Sequence, residues 1–218
     1  MTPFYPLSRN FYESSAKVVA RALLGHLLIR NFERGICGGM IVETEAYLID
    51  DPACHAFSGM TARNRVMFGE PGHAYVYFIY GCHYCVNAVC RPAGVAEAVL
   101  IRAIQPVFGQ DILRQYRPAV NLRNLTNGPA KLCQAMNIDR GLDGVDLCSA
   151  DSALFVAKNR VRAAALKADG PVIASARIGI SQAIDAPLRF FLAGSSYVSG
   201  AGIRKQTAAK LGIERFSS

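Results

Sequence analysis

No stretch of about 18 apolar residues occurs anywhere in this 218-residue sequence, so no transmembrane helix is expected. Met1 to Asn10 hold no long apolar run, and no secretory signal is expected there. Internal repeats and low-complexity tracts are absent, which leaves an ordinary single domain over 1–218 as the expected organisation. Lysine is scarce: of 24 basic residues only 6 are Lys, and Lys131 alone lies between Lys17 and Lys158. The cysteines, at 37, 54, 82, 85, 90, 133 and 148, are odd in number and scattered through apolar stretches. That argues against a disulfide framework and for reduced thiols in a cytoplasmic protein. Cys82-x-x-Cys85 with His83 and Cys90 has a superficial metal-site look, but the second pair that a structural zinc needs is missing. Alternation along a strand also aims Cys85 and Cys90 at opposite faces. No metal and no organic cofactor are expected.

What is present is a basic, arginine-dominated chain. The net charge is +8, and hydrophobic residues make up 51% of the total, a globular composition. Arginine binds phosphate bidentately and stacks on bases, so a nucleic acid is the leading partner, ahead of a membrane surface or an acidic protein. Residues 112–138 contain no acid but carry Arg114, Arg117, Arg123 and Lys131, and residues 158–167 carry Lys158, Arg160, Arg162 and Lys167. Both are candidate phosphate-contact surfaces, a solvated helix face being the plain alternative.

The apolar periodicity predicts a mixed α+β fold: a strand-rich antiparallel sheet with edge helices and a protruding β-hairpin. A helix is expected from Ser8 to about Gly25, with an apolar stripe of Val18, Val19, Ala22 and Leu23. Strands are expected at Leu27–Phe32, Met40–Tyr47, Ala74–Tyr80, Tyr84–Arg91, Glu97–Ile104, Ala153–Ala157, Val172–Ile178 and Leu188–Leu192. Further helices are expected near 108–117, 128–137 and 204–211, the second opening on Gly128-Pro129. Residues 50–73 and 139–152 are irregular.

Polar groups interrupt this apolar pattern in three places. In Ile41-Val42-Glu43-Thr44-Glu45-Ala46-Tyr47, an extended chain puts Glu43, Glu45 and Tyr47 on one face. Two carboxylates there suit acid/base chemistry, unless the strand simply emerges into solvent. Arg102 lies in Val99–Ile104 on the expected face of Leu100 and Ile104, where a charge is costly unless paired; Glu43 or Glu45 would serve. In Tyr75–Asn87, Gly81 permits a tight turn, placing Tyr80 at a hairpin tip as a wedge for a base stack and Tyr77 back along the strand. Asn87 then shares a strand face with Cys85 and Val89, as structural glue or a selectivity group. His55 is the one histidine in the loop after the Glu45 strand.

Eight stretches, in order, carry a resemblance to the alkyladenine (3-methyladenine) DNA glycosylase family. They are Val19–Gly25, Ile41–Tyr47 (IVETEAY), Arg63-Asn64-Arg65 with Met67-Phe68, YVYFIYG at 75–81 followed by Asn87, Val99–Arg102, GPAKLCQA at 128–135, ARIGI at 176–180 and PLRFF at 187–191. The resemblance spans residues from about 8 to 199. It implies flipping of a damaged purine from double-stranded DNA into an aromatic pocket, then direct attack by water on the N-glycosidic bond. By matching position, Glu45 would be the general base and Arg102 would help hold the water and keep Glu45 ionised. Tyr47, His55 and Tyr77 would wall the pocket, Tyr80 would intercalate, and Asn87 would screen guanine-type bases. Arg63, Arg65 and Lys131 are candidates for backbone contact. With no lysine in the stretches that hold Glu45, Tyr77 and Arg102, a monofunctional reaction that leaves an intact abasic site is expected. A monomer working on nucleoid DNA in the cytoplasm completes the expectation, and the short N-terminus suits a bacterial member.

The sequence departs from the mammalian members in two details. The loop from Tyr47 to His55 is one residue shorter, and Cys82-His83 replaces larger residues after the hairpin turn. Both bear on lesion range more than on reaction type. The alternative from another class is a non-catalytic nucleic-acid-binding domain, which shares the charge and the aromatic strands but gives no reason for Glu45 and Arg102 to interrupt apolar strands.

Overall fold

The long strand β2 (Gly35–Tyr47) is the spine of the molecule. Its burial is nearly continuous, because both of its faces are covered. In the computed structural model, which describes residues 4–118 and 121–200, one edge of β2 pairs along most of its length with β5 (Glu97–Phe108). The other edge is shared. Its first half pairs with β1 (Leu27–Phe32), and Glu43–Glu45 pair with β8 (Arg189–Leu192). β3 (Ala74–Ile79) and β4 (His83–Cys90) extend the sheet beyond β5. β6 (Leu154–Ala157) closes the β1 side, and β7 (Val172–Ser175) pairs with β8. The eight strands form one antiparallel sheet. Helices α1 (Ala16–Leu23), α2 (Gln110–Tyr116), α3 (Pro129–Ala135) and α4 (Arg162–Ala168) pack at its edges and faces.

Alternation sorts β3, β4 and β5 into two layers. Val76, Val86, Ala88, Val99 and Ile101 join the main core, whereas Tyr75, Tyr77, Cys85, Val89, Ala98 and Leu100 form a second apolar cluster on the other face. Cys90 lies in the main core and Cys85 in the second cluster, so those two thiols do face opposite ways. Among the described residues, no group of three His, Cys, Asp or Glu gathers to hold a metal ion. No described helix is long and apolar enough to cross a membrane.

Four expectations need correction. The first helix does not run from Ser8. A short 3-10 turn at Arg9–Tyr12 is separated from α1, whose free N-terminus at Ala16 N–H donates to Glu97 Oε2 at 2.7 Å. A carboxylate from β5 thus does the capping, and the buried stripe is Ala16, Val19, Ala20 and Leu23, with Val18 exposed. Ile104 does not share the face of Arg102 and Leu100; it turns into the main core. The strand expected over 172–178 ends at Ser175, where the chain leaves the sheet. Residues 162–168 are helical, and Arg162 is not free for phosphate. It donates to the carbonyls of Leu24 at 2.8 Å and Ala22 at 3.1 Å, satisfying the end of α1. The helix expected at 204–211 lies outside the described residues.

Candidate active site

Two compensating irregularities in the β2–β5 pairing aim the charged residues. Ile41 pairs with Ile104 and Glu43 with Ala103, so Val42 is an extra residue on β2; Glu43–Ala103 is followed by Thr44–Ile101, so Arg102 is an extra residue on β5. Such bulges free a side chain from the ladder's fixed direction. Arg102 uses that freedom to meet both strand carboxylates, with Nε 3.0 Å from Glu43 Oε1 and Nη1 3.0 Å from Glu45 Oε2. Both acids are fully buried, so the solvent-emerging reading of this strand is excluded.

Glu43 is the more heavily bonded member of the pair. Its Oε1 accepts from Arg189 Nε at 2.6 Å and Ser199 Oγ at 2.8 Å besides Arg102, and its Oε2 accepts from Ser199 N–H at 2.6 Å. Two carboxylates and two guanidiniums, Arg102 and Arg189, thus balance inside the sheet, which is what makes burial of four charges tolerable. Burial alone would lower the Arg102 pKa, but Glu45 and Glu43 outweigh it and the net direction is upward.

Glu45 is held differently. Ile178 N–H donates to its Oε1 at 2.8 Å; the Tyr47 hydroxyl and Arg102 Nη1 approach its Oε2, each at 3.0 Å. Burial, then the Glu45 carboxylate, raises the Tyr47 pKa, so this phenol stays a donor. The three donors of Glu45 all line one cavity of about 320 Å³, at the small end of ligand pockets. Its walls are aromatic: Tyr47, His55, Tyr75 and Tyr77, with Leu100, Asn87 and Cys85 at the sheet surface. His55 meets Tyr77 edge to face at 4.4 Å and shares a 3.0 Å hydrogen bond with the Tyr75 hydroxyl. Burial, then Arg63, lowers the His55 pKa, which keeps the ring neutral at neutral pH. Burial, then Cys85, raises that of Tyr77; burial pushes Tyr75 up to about 12.

The hairpin stands over this cavity. Tyr80 adopts a left-handed φ of 54° with Gly81 following at 69°, and its side chain is 76% exposed while also lining the cavity mouth. A large exposed aromatic on a strained turn is a poor structural residue. Asn87 is buried, with Nδ2 donating to the Tyr75 carbonyl at 3.0 Å. Arg63 is exposed beside the rim: it donates to the Phe78 carbonyl at 3.0 Å and lies 5.5 Å from the Tyr77 ring centroid. Arg65 is exposed on a neighbouring 3-10 turn.

Every candidate pocket residue therefore comes to one place, and others join them. Pro129 and Ala130 line the cavity, so the start of α3, and with it Lys131, is nearer the site than its distance in sequence from the other stretches implies; Lys131 Nζ donates to Asn127 Oδ1 at 2.8 Å. Tyr75, Ile178 and Arg189 lie in stretches that carry the family resemblance, but sequence reasoning gives neither them nor Ser199 a role in the site. Arg189 gives the same signal that marks Arg102, a charge inside an apolar strand. The Ile178 contact uses a backbone N–H and leaves no residue signature.

A buried carboxylate held by three donors behind an aromatic slot is the kind of site an enzyme uses. The sequence matches the family described as Methylpurine-DNA glycosylase (MPG) over residues 10–196. It is 47% identical over 193 residues, 88% of this chain and 98% of the relative, to a Carboxydothermus hydrogenoformans protein named "Putative 3-methyladenine DNA glycosylase". Proteins of the same name from Granulibacter bethesdensis (48% identity, 88% of this chain and 86% of the relative) and Methanoculleus marisnigri (47%, 88% and 98%) are similarly close. The chain belongs to the methylpurine-DNA glycosylase family and is a DNA glycosylase.

Proposed function

We propose that the protein is a monofunctional glycosylase of base excision repair, which extrudes alkylated or deaminated purines from duplex DNA and hydrolyses their N-glycosidic bond. The observation that carries this reading is the triple grip on buried Glu45 by Arg102, Tyr47 and Ile178, three residues that themselves line an aromatic cavity. An ionised carboxyl group offers about four acceptor positions. Three are occupied, and the fourth takes the attacking water. As the base departs, the sugar gains oxocarbenium character. Glu45 removes a proton from the water as the new C–O bond forms, and its charge stabilises the sugar cation. The bonding pair of the broken bond leaves with the purine; in an alkylated purine the added group has already made the ring electron-poor and a better leaving group. Tyr47, Tyr77 and neutral His55 sandwich that base, and Tyr80 fills the gap in the stack. Arg63, Arg65 and Lys131 contact the phosphate backbone. Water is the nucleophile, the product is an intact abasic site, and the enzyme acts as a monomer on DNA in the cytoplasm.

The test is base release from duplex oligonucleotides that each carry one lesion: 3-methyladenine, 7-methylguanine, hypoxanthine or ethenoadenine. Free modified base and an unbroken sugar–phosphate strand are expected, with no adduct on borohydride treatment. Binding without release would favour the non-catalytic nucleic-acid-binding reading. A trapped adduct that disappears in Lys131→Ala would replace water by an amine nucleophile.

A further inference from the structure

We infer that Arg177, locked to Asp51, is the positioning residue that holds the catalytic carboxylate of Glu45 in register, an inference that rests on the function proposed above. The loop after β7 supplies Ile178 N–H to Glu45 and, with Gly179 and Ile180, one wall of the cavity. This loop has little of its own to hold it. Across residues 171–187 every position is exposed or half-buried except Arg177. Its guanidinium is fully buried, pairs end-on with Asp51 (Nη2 to Oδ1 at 2.9 Å, Nη1 to Oδ2), and donates from Nη1 to the Ala46 carbonyl at 3.0 Å.

The same guanidinium lies 4.7 Å from the Tyr47 ring centroid. Tyr47 lines the cavity and donates to Glu45, whereas Arg177 is outside the cavity wall. One cation therefore fixes two of the three groups that grip Glu45: the Ile178 amide through the chain, and the Tyr47 hydroxyl through its ring. Asp51 is itself held rigidly, its Oδ1 also accepting Ala53 N–H at 3.0 Å in the loop that leads to His55. A lysine cannot reproduce this, because it lacks the planar fork that pairs bidentately and stacks at once.

The experiment uses the full chain, as Arg177→Lys and Asp51→Asn. Single-turnover base release is measured with enzyme in excess, alongside Kd for duplex containing a tetrahydrofuran abasic analogue. With active enzyme titrated and saturating, a loss of folded protein does not change the rate constant. The expected result is a fall of about 10²-fold in the release step, the size of effect that an ångström of misplacement produces. Kd is expected to stay within about threefold. The Ile178 amide proton, deshielded by its bond to Glu45, is expected to move upfield in both variants. Rate constants near wild type, or parallel losses in rate and Kd, would overturn the positioning role. If the wild-type protein releases no modified purine at all, the function reading fails first.

Discussion

Arg102 holds two fully buried carboxylates with different nitrogens of one side chain, Nε to Glu43 and Nη1 to Glu45, both at 3.0 Å. A single residue thereby ties the two strand acids together. Arg102→Gln leaves Glu45 without its charged partner inside the sheet. Removing one member of a buried pair costs about 3–5 kcal/mol, so the thermal midpoint is expected to fall by many degrees and excision with it. Unchanged thermal unfolding would show that the pair contributes nothing to stability.

Glu45→Gln keeps the shape of the side chain and removes its charge. The release rate is expected to fall by about two orders of magnitude or more, the lower range for general-base loss, while duplex binding persists. Near-wild-type excision would remove Glu45 from the mechanism.

Tyr80 is exposed at the hairpin tip. Tyr80→Ala is expected to leave the unfolding midpoint within about 0.5 kcal/mol of wild type, as for ordinary surface changes. Its binding to lesion duplex is expected to weaken, because nothing fills the vacated stack. Equal affinity in a titration of both proteins would count against intercalation by this hairpin.

Asn87 is immobilised by its hydrogen bond to the Tyr75 carbonyl and lines the cavity. A guanine-type base brings an exocyclic amine that a fixed amide crowds. Asn87→Ser is expected to raise the release of 7-methylguanine relative to hypoxanthine in paired single-turnover assays. An unchanged ratio reduces Asn87 to a strand support.

His26 carries a pH dependence away from the site. Burial, reinforced by Arg162 and Lys158, holds its pKa down at about 4, against an ordinary value of about 6.5. Above the ordinary value the ring is neutral in both folded and unfolded chains. Between the two values the unfolded chain binds a proton that the native one refuses, so this share of stability is present above 6.5 and is lost as pH falls toward 4. His26→Asn is expected to flatten that part of the unfolding profile. Parallel profiles for variant and wild type would assign the acid sensitivity to other groups.

Much of the site was legible in the sequence for one physical reason: a charge inside an apolar strand must be paired, so Glu43, Glu45 and Arg102 announce one another across two separate stretches. Period-two alternation likewise put Cys85 and Asn87 on one face and Cys90 on the other, and Gly81 put Tyr80 at a turn. The same alternation failed at Ile104 because the bulge at Arg102 shifts the ladder by a residue, and bulges have no composition signature at this position. The first helix failed because its cap comes from Glu97, 81 residues away.

The sequence by itself determined the fold class and the antiparallel sheet with its hairpin, and the resemblance it carries named Tyr47, His55, Tyr77 and Asn87, which do line one cavity. Tertiary structure alone decided the different surroundings of the two strand acids. Glu43 and Glu45 are indistinguishable as sequence, two glutamates separated by a threonine. Folding surrounds Glu43 with Arg102, Arg189 and Ser199 deep in the sheet and gives Glu45 a backbone amide from Ile178 at the cavity wall. That difference arises from chain segments more than 130 residues away, and local spacing carries no information about which distant loop will close over which side chain.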